Sequence, residues 1–533
     1  MFLRVLLAFW LIVLPVHAGT LPLLGAGGPP PATGDTPFTQ LSTHYMRTGG
    51  SDANCNGTVN VDDSVGVRPN CAWSTSVHNL NCGDAVIVAP SLSYTSTHFP
   101  GGFGTQSNCP STTGGIDGAG GINHAIFICG GSDLEACLIT LSGDFTDSDP
   151  GESNLAFEGF KVNANGHRFL APKNCQHTGS PSHHWASINN VVYNAAQAAG
   201  MNDCGDALAE SIDYWAIVGT VAQNAAQDSI CLAAIDGVGP KNLNTTAGTH
   251  LYMYGNFSYA NANVGCRATS DTEAYMFDTL DFHNYTQQGV IANNVAWASD
   301  RMCIQLFWQQ NNADTPTIKV YNNTCFHNNQ QTGTDNYDGE ININTGANYP
   351  WITTVQNNIA YQSLATSGGG HNVSAFAVYG TANNLTVGGT GNENVFRANN
   401  GSCGATFCNS GFDAGSFGTS GELGTNTYTN PTFNNTSDLL TNWVGTPSCT
   451  GFVNVTQCMG YAAATATLTS NTPISDLTAT CAGCTGKGYQ LPSTTCNSNA
   501  DFPTWLKGVV YLHVVSGSTI VQKHDLVTTP CGL

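Results

Sequence analysis

Ile188-Asn189-Asn190-Val191-Val192-Tyr193 returns as Ile291-Ala292-Asn293-Asn294-Val295-Ala296-Trp297, then as Val320-Tyr321-Asn322-Asn323-Thr324-Cys325-Phe326, and again as Val355-Gln356-Asn357-Asn358-Ile359-Ala360-Tyr361. Each copy is a short β-type run, interrupted by an Asn pair and closed by an aromatic residue. Aligning the closing residues Val162, Tyr193, Gln223, Tyr259, Trp297, Phe326, Tyr361 and Val387 gives spacings of 31, 30, 36, 38, 29, 35 and 26. Self-similarity in this range marks a solenoid or a propeller. The runs alternate with period two, as in Thr317-Ile318-Lys319-Val320-Tyr321, and are too short and β-branched for helices. A propeller needs four hairpin strands per repeat, and hairpin turn signals are scarce between these runs. A chain coiling through about three short parallel strands suits roughly 30 residues per turn, at ~3.3 Å per strand residue. The expected fold is all-β, a parallel β-helix.

The Asn pairs then acquire a physical role. Asn tolerates left-handed backbone angles at a sharp bend and bonds to local backbone groups. Stacked coil upon coil, identical Asn side chains can bond to one another as a ladder. Glu158-Gly159 replaces the pair in the first aligned coil, which keeps the bend and starts the ladder late.

This phrase resembles the repeat of the right-handed parallel β-helix proteins of the pectate-lyase-like group, over about residues 150–400. The resemblance implies a right-handed solenoid and a polysaccharide as partner. The group spans lyases, glycoside hydrolases, esterases, epimerases, adhesins and phage tail proteins. Asn430-Pro431-Thr432-Phe433-Asn434 is similar to the D-P-x-F segment found where such helices end. The catalytic signatures of the group do not carry over. Asp62-Asp63 is a paired D-D, but it lies in the region expected to cap the helix, and N-T-D, G-H-G and R-I-K are absent. W-x-D-H and R-x-P-x-x-R are absent as well.

Around the repeats the chain divides into five parts. Arg4, the apolar run Val5 to Val13, and Val16-His17-Ala18 have the form of a secretory signal, with cleavage expected after Ala18. The apolar run is shorter than the ~20 residues a membrane span needs, and no later stretch is longer. Residues 19–45, with Gly27-Gly28-Pro29-Pro30-Pro31, read as a flexible lead-in. Residues 46–150 read as an N-terminal cap with the first coils, including the turn and strand of Gly83-Asp84-Ala85-Val86-Ile87-Val88. Residues 151–400 are the β-helix, and 401–533, with eight cysteines, the last coils and a C-terminal cap. All twenty cysteines follow the signal, an even number that reads as disulfides in an exported chain. Cys481-Ala-Gly-Cys484 has no second CxxC to complete a zinc site, so a structural bridge is the preferred reading.

Fourteen basic and thirty-five acidic residues give a formal charge of −21. That excludes nucleic acid, which demands basic patches. The acidic residues gather after successive phrases, most densely in Asp271-Thr-Glu273-Ala-Tyr275-Met-Phe-Asp278-Thr-Leu-Asp281-Phe-His283. Paired carboxylates divide acid and base or nucleophile roles in glycoside hydrolysis. Oxygen-rich clusters also hold Ca²⁺, the one cofactor this stretch suggests. Asp at loop edges equally serves as a turn cap. A lyase needs a base and a cation beside the substrate acid, and Arg301 is the best-placed candidate, with an ion pair to Asp300 or a neighbour as its ordinary role. Residues at equivalent places on coils ~4.8 Å apart line one face. Asp278, Gln305 and Asn342 are expected to precede or occupy comparable short strands, Ala274–Asp278, Cys303–Phe307 and Glu340–Asn344, with Tyr275 and Trp308 available to stack on sugar rings. The expected function is an exported polysaccharide-active protein, hydrolase ahead of lyase. The catalytic candidates are Asp271, Glu273, Asp278, Asp281, His283 and Arg301. Tyr275, Gln305, Trp308 and Asn342 are the binding candidates. The alternative is a non-catalytic glycan-binding surface protein or adhesin.

Overall fold

The computed structural model describes the strands and the bends between them from residue 43 to residue 433. Beyond that it describes residues 449–450, 455–459, 479–490 except 482, 501–506, 512–515 and 519–522. The signal segment and most of the connecting stretches lie outside the described residues. The strands form three long sheets. The first has twelve, from Thr43–Met46 to Glu422–Leu423; the second has ten, from Leu92–Ser96 to Val395–Ala398; the third has six, from Ile235–Val238 to Phe412–Phe417. Every pairing within them is parallel, and neighbours in a sheet are strands one coil apart in sequence. The chain is a parallel β-helix. Among the described residues its first-sheet ladder reaches Thr43–Met46, which pairs with Ala85–Val88, so the sheet extends into the end of the stretch read as lead-in.

The register corrects the repeat alignment at both ends. Tyr193 lies opposite Asn163, one residue beyond Val162. Val387 lies opposite Val355 in the first sheet, and the residue opposite Tyr361 in the second sheet is Arg397. With Asn163 and Arg397 as end markers the spacings become 30, 30, 36, 38, 29, 35 and 36. The outlying value of 26 therefore disappears. The last coil misled the reading because Gly388 to Asn394 lengthen its bend and separate the two β-runs.

The bend between the first and second sheets needs one left-handed residue per coil. Gly159, Asn189, Gly219, Gly255, Asn293, Asn322 and Asn357 fill that position, with φ between 53° and 79°. Glycine and asparagine are the residues that take this conformation cheaply. The second Asn of each pair points inward and builds the ladder. Asn256, Asn294, Asn323, Asn358, Asn394 and Asn426 each bond to the next through side chains, at 2.9–3.0 Å. Each acceptor oxygen also takes the preceding coil's backbone N–H, as Asn323 Oδ1 does from Asn294 N at 2.9 Å. Thr220 interrupts the row between Asn190 and Asn256, so the unbroken ladder starts at Asn256.

Second-sheet strands are mostly three residues long, and their middle residue points inward. Val192, Ala222, Ala296, Cys325 and Ala360 join the interior, with Trp215, Ile217, Phe277, Ile291, Leu306, Ile318, Ile343 and Val355. The residues that flank these middle positions face outward, so the closing aromatics stack on the outside of the second sheet. Tyr259 and Trp297 lie parallel at 4.4 Å, and Phe326 and Tyr361 are 5.9 Å apart.

The C-terminal section covers these outer faces. Phe433, Cys449, Val455, Cys458, Met459 and Cys484 bury the aromatic row of the second sheet. Cys449 N donates to Glu135 Oε1 at 2.7 Å, so this cover reaches the early coils. Residues 486–490 lie on the bend ridge: Asn293 exchanges hydrogen bonds with the backbone N and O of Gln490 at 2.7 and 2.9 Å, and Asn322 Nδ2 donates to the carbonyls of Gly486 and Gly488. Trp505 and Leu506 pack on the outer face of the first sheet. There Asp501 accepts from Lys319 Nζ at 2.5 Å and Gln288 Nε2 at 3.0 Å. Lys319 thus anchors the cover to the first sheet. Disulfides Cys129–Cys137, Cys303–Cys325, Cys449–Cys458 and Cys481–Cys484 tie the early coils, the middle and the cover.

Trp505 Nε1 donates to Thr249 O at 3.1 Å with both groups buried. Trp505→Phe removes that bond and part of the ring while keeping an aromatic in place. Its expected cost is about 1–2 kcal/mol, read as a shift in urea midpoint. An unchanged midpoint would mean that the first sheet does not depend on its cover.

Candidate functional site

The third sheet carries most of the candidate residues. Its register runs Asp236, Met276, Gln305, Asn342, Ala377, Asp413 across six coils. Asp278 is not in that row; it pairs with Val238 and Phe307, and Phe307 pairs with Asn344. Gln305 and Asn342 are therefore true neighbours, and Asp278 sits two residues further along its strand. The three strands are in the expected register, Tyr275 to Asp278 lying opposite Ile304 to Phe307 and these opposite Ile341 to Asn344.

Alternation decides which side each residue takes. Tyr275 and Phe277, Ile304 and Leu306, and Ile341 and Ile343 point into the interior. Met276, Gln305 and Asn342 lie between them and face the other way. Both amides are nevertheless closed off from solvent, at 1% and 0% exposure. Gln305 Oε1 and both Asn342 Oδ1 and Nδ2 have no hydrogen-bond partner. A buried polar atom left unpaired costs about 1–3 kcal/mol, so two such amides side by side call for an explanation.

Tyr275 is not a stacking platform. It lies inside the helix, where its hydroxyl donates to Val295 O at 2.8 Å and burial pushes the phenol well above its usual range. Trp215 and Trp351 are also interior residues. Glu273 and Arg301 do come together, at 3.6 Å and both buried. The ordinary role foreseen for Arg301 is thus realised with Glu273. Asp271, Asp281 and His283 lie outside the described residues, as do the side chains of Asp278 and Trp308.

A second polar corner, between the second and third sheets, escaped the sequence reading. Ser299 N donates to Asn328 Oδ1 at 2.9 Å. Asn328 in turn donates its backbone N–H to Glu340 Oε1 at 2.9 Å and its Nδ2 to Glu340 Oε2 at 2.6 Å. Gln362 Nε2 donates to Glu340 Oε1 at 3.1 Å. Glu340 is fully buried, and burial raises its carboxyl to about 8 against these three bonds, which favour the charged form. Nearby His327 is bonded to Ser363, and burial lowers its imidazole to about 4. A signal was present in the sequence, since Asn328-Asn329 is a further Asn pair just after the closing aromatic Phe326.

Another buried group was equally invisible. His184, Tyr214 and His250, on successive first-sheet coils, stack at 4.0 and 3.7 Å, and Trp505 abuts the first two edge-on. Asp213 Oδ1 bonds His250 Nδ1 at 2.8 Å. His184 and Tyr214 hold φ of 60° and 56°, a conformation bulky side chains rarely adopt, and the strand pairing skips both. No sequence pattern announces this stack.

Among the described residues no group of three or more His, Cys, Asp or Glu side chains could hold a metal ion. No described helix is long and apolar enough to cross a membrane. The arrangement is one of hydrogen-bonding amides on a rigid sheet, with its nearby described carboxylates tied up in Glu273–Arg301 and the Glu340 corner. The fold defines the class, a parallel β-helix. No protein-family model matches the chain, and neither a curated protein nor a solved structure does.

Proposed function

We propose that the protein is an exported glycan-binding β-helix, in the manner of the pectate-lyase-like group, and that it engages a polysaccharide on the outer face of the third sheet. The observation that carries this reading is the pair of unsatisfied amides, Gln305 and Asn342, on adjacent coils. Sugar hydroxyls both donate and accept, which suits Asn342, whose oxygen and nitrogen both lack a partner, and Gln305, whose oxygen does. The disulfides and the signal-like N-terminus support export. Bond cleavage is the stronger form of the reading. It assigns Asp271, Asp278 and Asp281 as acid, base or calcium ligands, with His283 assisting, on the connection that is the longest between aligned coils. Glu273 and Arg301, a buried pair, hold the start of that strand.

The test uses the purified protein on a panel of neutral and acidic glycans, with and without calcium. Retention without product supports the binding form. New reducing ends show hydrolysis, and ultraviolet-absorbing unsaturated products show a lyase. No retention on any glycan overturns the proposal. Asn342→Val adds a second readout, because an apolar side chain removes the unpaired atoms. The variant is expected to be as stable as the parent or more so, by up to about 1–2 kcal/mol, while glycan retention falls. A destabilised variant would show that Asn342 serves the fold.

A further inference from the structure

The bridge Cys481–Cys484 stands at the head of the described run that lies along the bend ridge. From there residues 484–490 and 501–506 reach Asn357, Lys319, Gln288, Thr249, Tyr214 and His184, one residue from each of six neighbouring coils. In a solenoid each coil otherwise contacts only its neighbours. The cover is thus a long-range tie, and its seating depends on the path the chain takes out of this bridge.

That path is narrow. Gly483, between the two cysteines, holds φ of 91°. Cys484 N donates to Cys481 O at 3.2 Å, and Lys487 N donates to Cys484 O at 3.0 Å, so the bridged loop runs straight into the docked segment. Gly488 N then donates to Asn357 O at 2.7 Å. A Cβ on Gly488 would lie 2.6 Å from Thr324 Oγ1 and 2.8 Å from Ile359 Cδ1, so the backbone is seated with no room to shift. Tyr489 N bonds Thr324 Oγ1 at 2.8 Å, and Gln490 closes the run on Asn293.

Access singles out the same bridge. Of the eight cysteines in the four described disulfides, seven are buried and Cys481 alone is half-buried. Thiol–disulfide exchange requires that the attacking thiolate reach a sulfur in line, so exposure selects which bridge reacts.

We propose that Cys481–Cys484 is a redox catch for the cover: an external dithiol opens it before the other described bridges, and residues 486–490 then leave the Asn ridge while the coils stay folded. The thiolate of the dithiol attacks Cys481 Sγ, the S–S bond breaks, and its electron pair leaves on Cys484 Sγ. The second thiol of the reagent then displaces Cys481 Sγ from the mixed disulfide. Two electrons and two protons pass from the dithiol to the pair, which becomes two thiols, and the reagent becomes a cyclic disulfide.

The test titrates the full chain with dithiothreitol, traps thiols with an alkylating reagent, maps them by mass spectrometry and follows amide hydrogen exchange. Cys481 and Cys484 are expected to be alkylated at about tenfold lower reductant than the six other described cysteines. Exchange at Gly488, Tyr489 and Gln490 should rise by about tenfold or more, with the ladder amides of Asn294 and Asn323 still protected. Opening of any other described bridge first overturns the proposal. So does unchanged protection at 488–490 once both cysteines are alkylated. The full-chain double variant Cys481→Ser, Cys484→Ser should reproduce the fast exchange without reductant. Parent-like protection in it, or a failure of its coils to fold, overturns the proposal equally.

Discussion

Asn323→Leu is expected to destabilise the protein by about 3–5 kcal/mol, although it changes side-chain volume little and adds apolar character. Asn323 Oδ1 accepts from both Asn294 N and Asn294 Nδ2, at 2.9 and 3.0 Å. Its Nδ2 donates to Ile291 O and to Asn358 Oδ1, each at 2.9 Å. Leucine at this position orphans two donors on Asn294 and withdraws a donor from the carbonyl of Ile291, in a fully buried place that water cannot reach. Each orphan costs roughly 1–3 kcal/mol, and the two lie too close together for their costs to add in full. Asn426→Ala is the control, because that residue is the last described in the ladder and is half-buried. Water can replace part of what it loses, so its cost should stay below about 1–2 kcal/mol. Urea unfolding of both variants, with hydrogen exchange at Asn294, checks the contrast. Equal effects at the two positions would mean that the ladder acts through its bends and not through its bonds.

The same ladder explains how much of the fold was legible. An Asn pair between β-runs recurs because each coil needs one left-handed residue and one inward amide, and no other residue type suits both roles so well. Where only the first need is met, glycine takes over, and Val218-Gly219-Thr220 and Tyr254-Gly255-Asn256 still read as the same bend. The end coils were misaligned because neither carries the full phrase: Gly159-Phe160 lacks the ladder amide, and the last coil splits its phrase across an insertion. The cover was not legible at all. Asn293 and Asn322 read the backbone of residues 486–490, and backbone recognition leaves little trace in the side chains recognised.

The site was less legible than the fold for a related reason. Carboxylates attract attention as chemistry, yet Glu273 is neutralised by Arg301 and Glu340 is enclosed by Asn328 and Gln362. Those partners come from other coils, so sequence proximity did not reveal them. Gln305 and Asn342 were placed correctly on neighbouring strands because both sit in short alternating β-runs whose apolar residues fix the inward side. Tyr275 was misjudged because it falls on the inward beat of the same alternation.

Glu340 gives the clearest pH dependence. Its carboxyl is held to about 8 in the fold by burial, well above the 4.5 it has when free. Below the free value both states carry the proton and the group has no effect on stability. As pH rises from about 4.5 towards 8 the unfolded chain ionises and the folded one does not, so stability falls by up to about 1.4 kcal/mol per pH unit and levels off above the folded value. Glu340→Gln removes the titration. Its amide still accepts from Asn328 N and Gln362 Nε2, but its NH₂ meets Asn328 Nδ2, which already faces the carboxylate as a donor at 2.6 Å. At pH 5 the variant is therefore expected to be less stable than the parent by about 1–2 kcal/mol. By pH 8 the order should reverse, because the parent has paid the cost of keeping its proton and the variant has none to keep. Urea unfolding of both proteins at pH 5, 6, 7 and 8 measures the difference, in which titrations common to both, such as that of His327, cancel. A constant difference across the window would show that Glu340 is ionised in the folded protein throughout, with its three hydrogen bonds outweighing its burial.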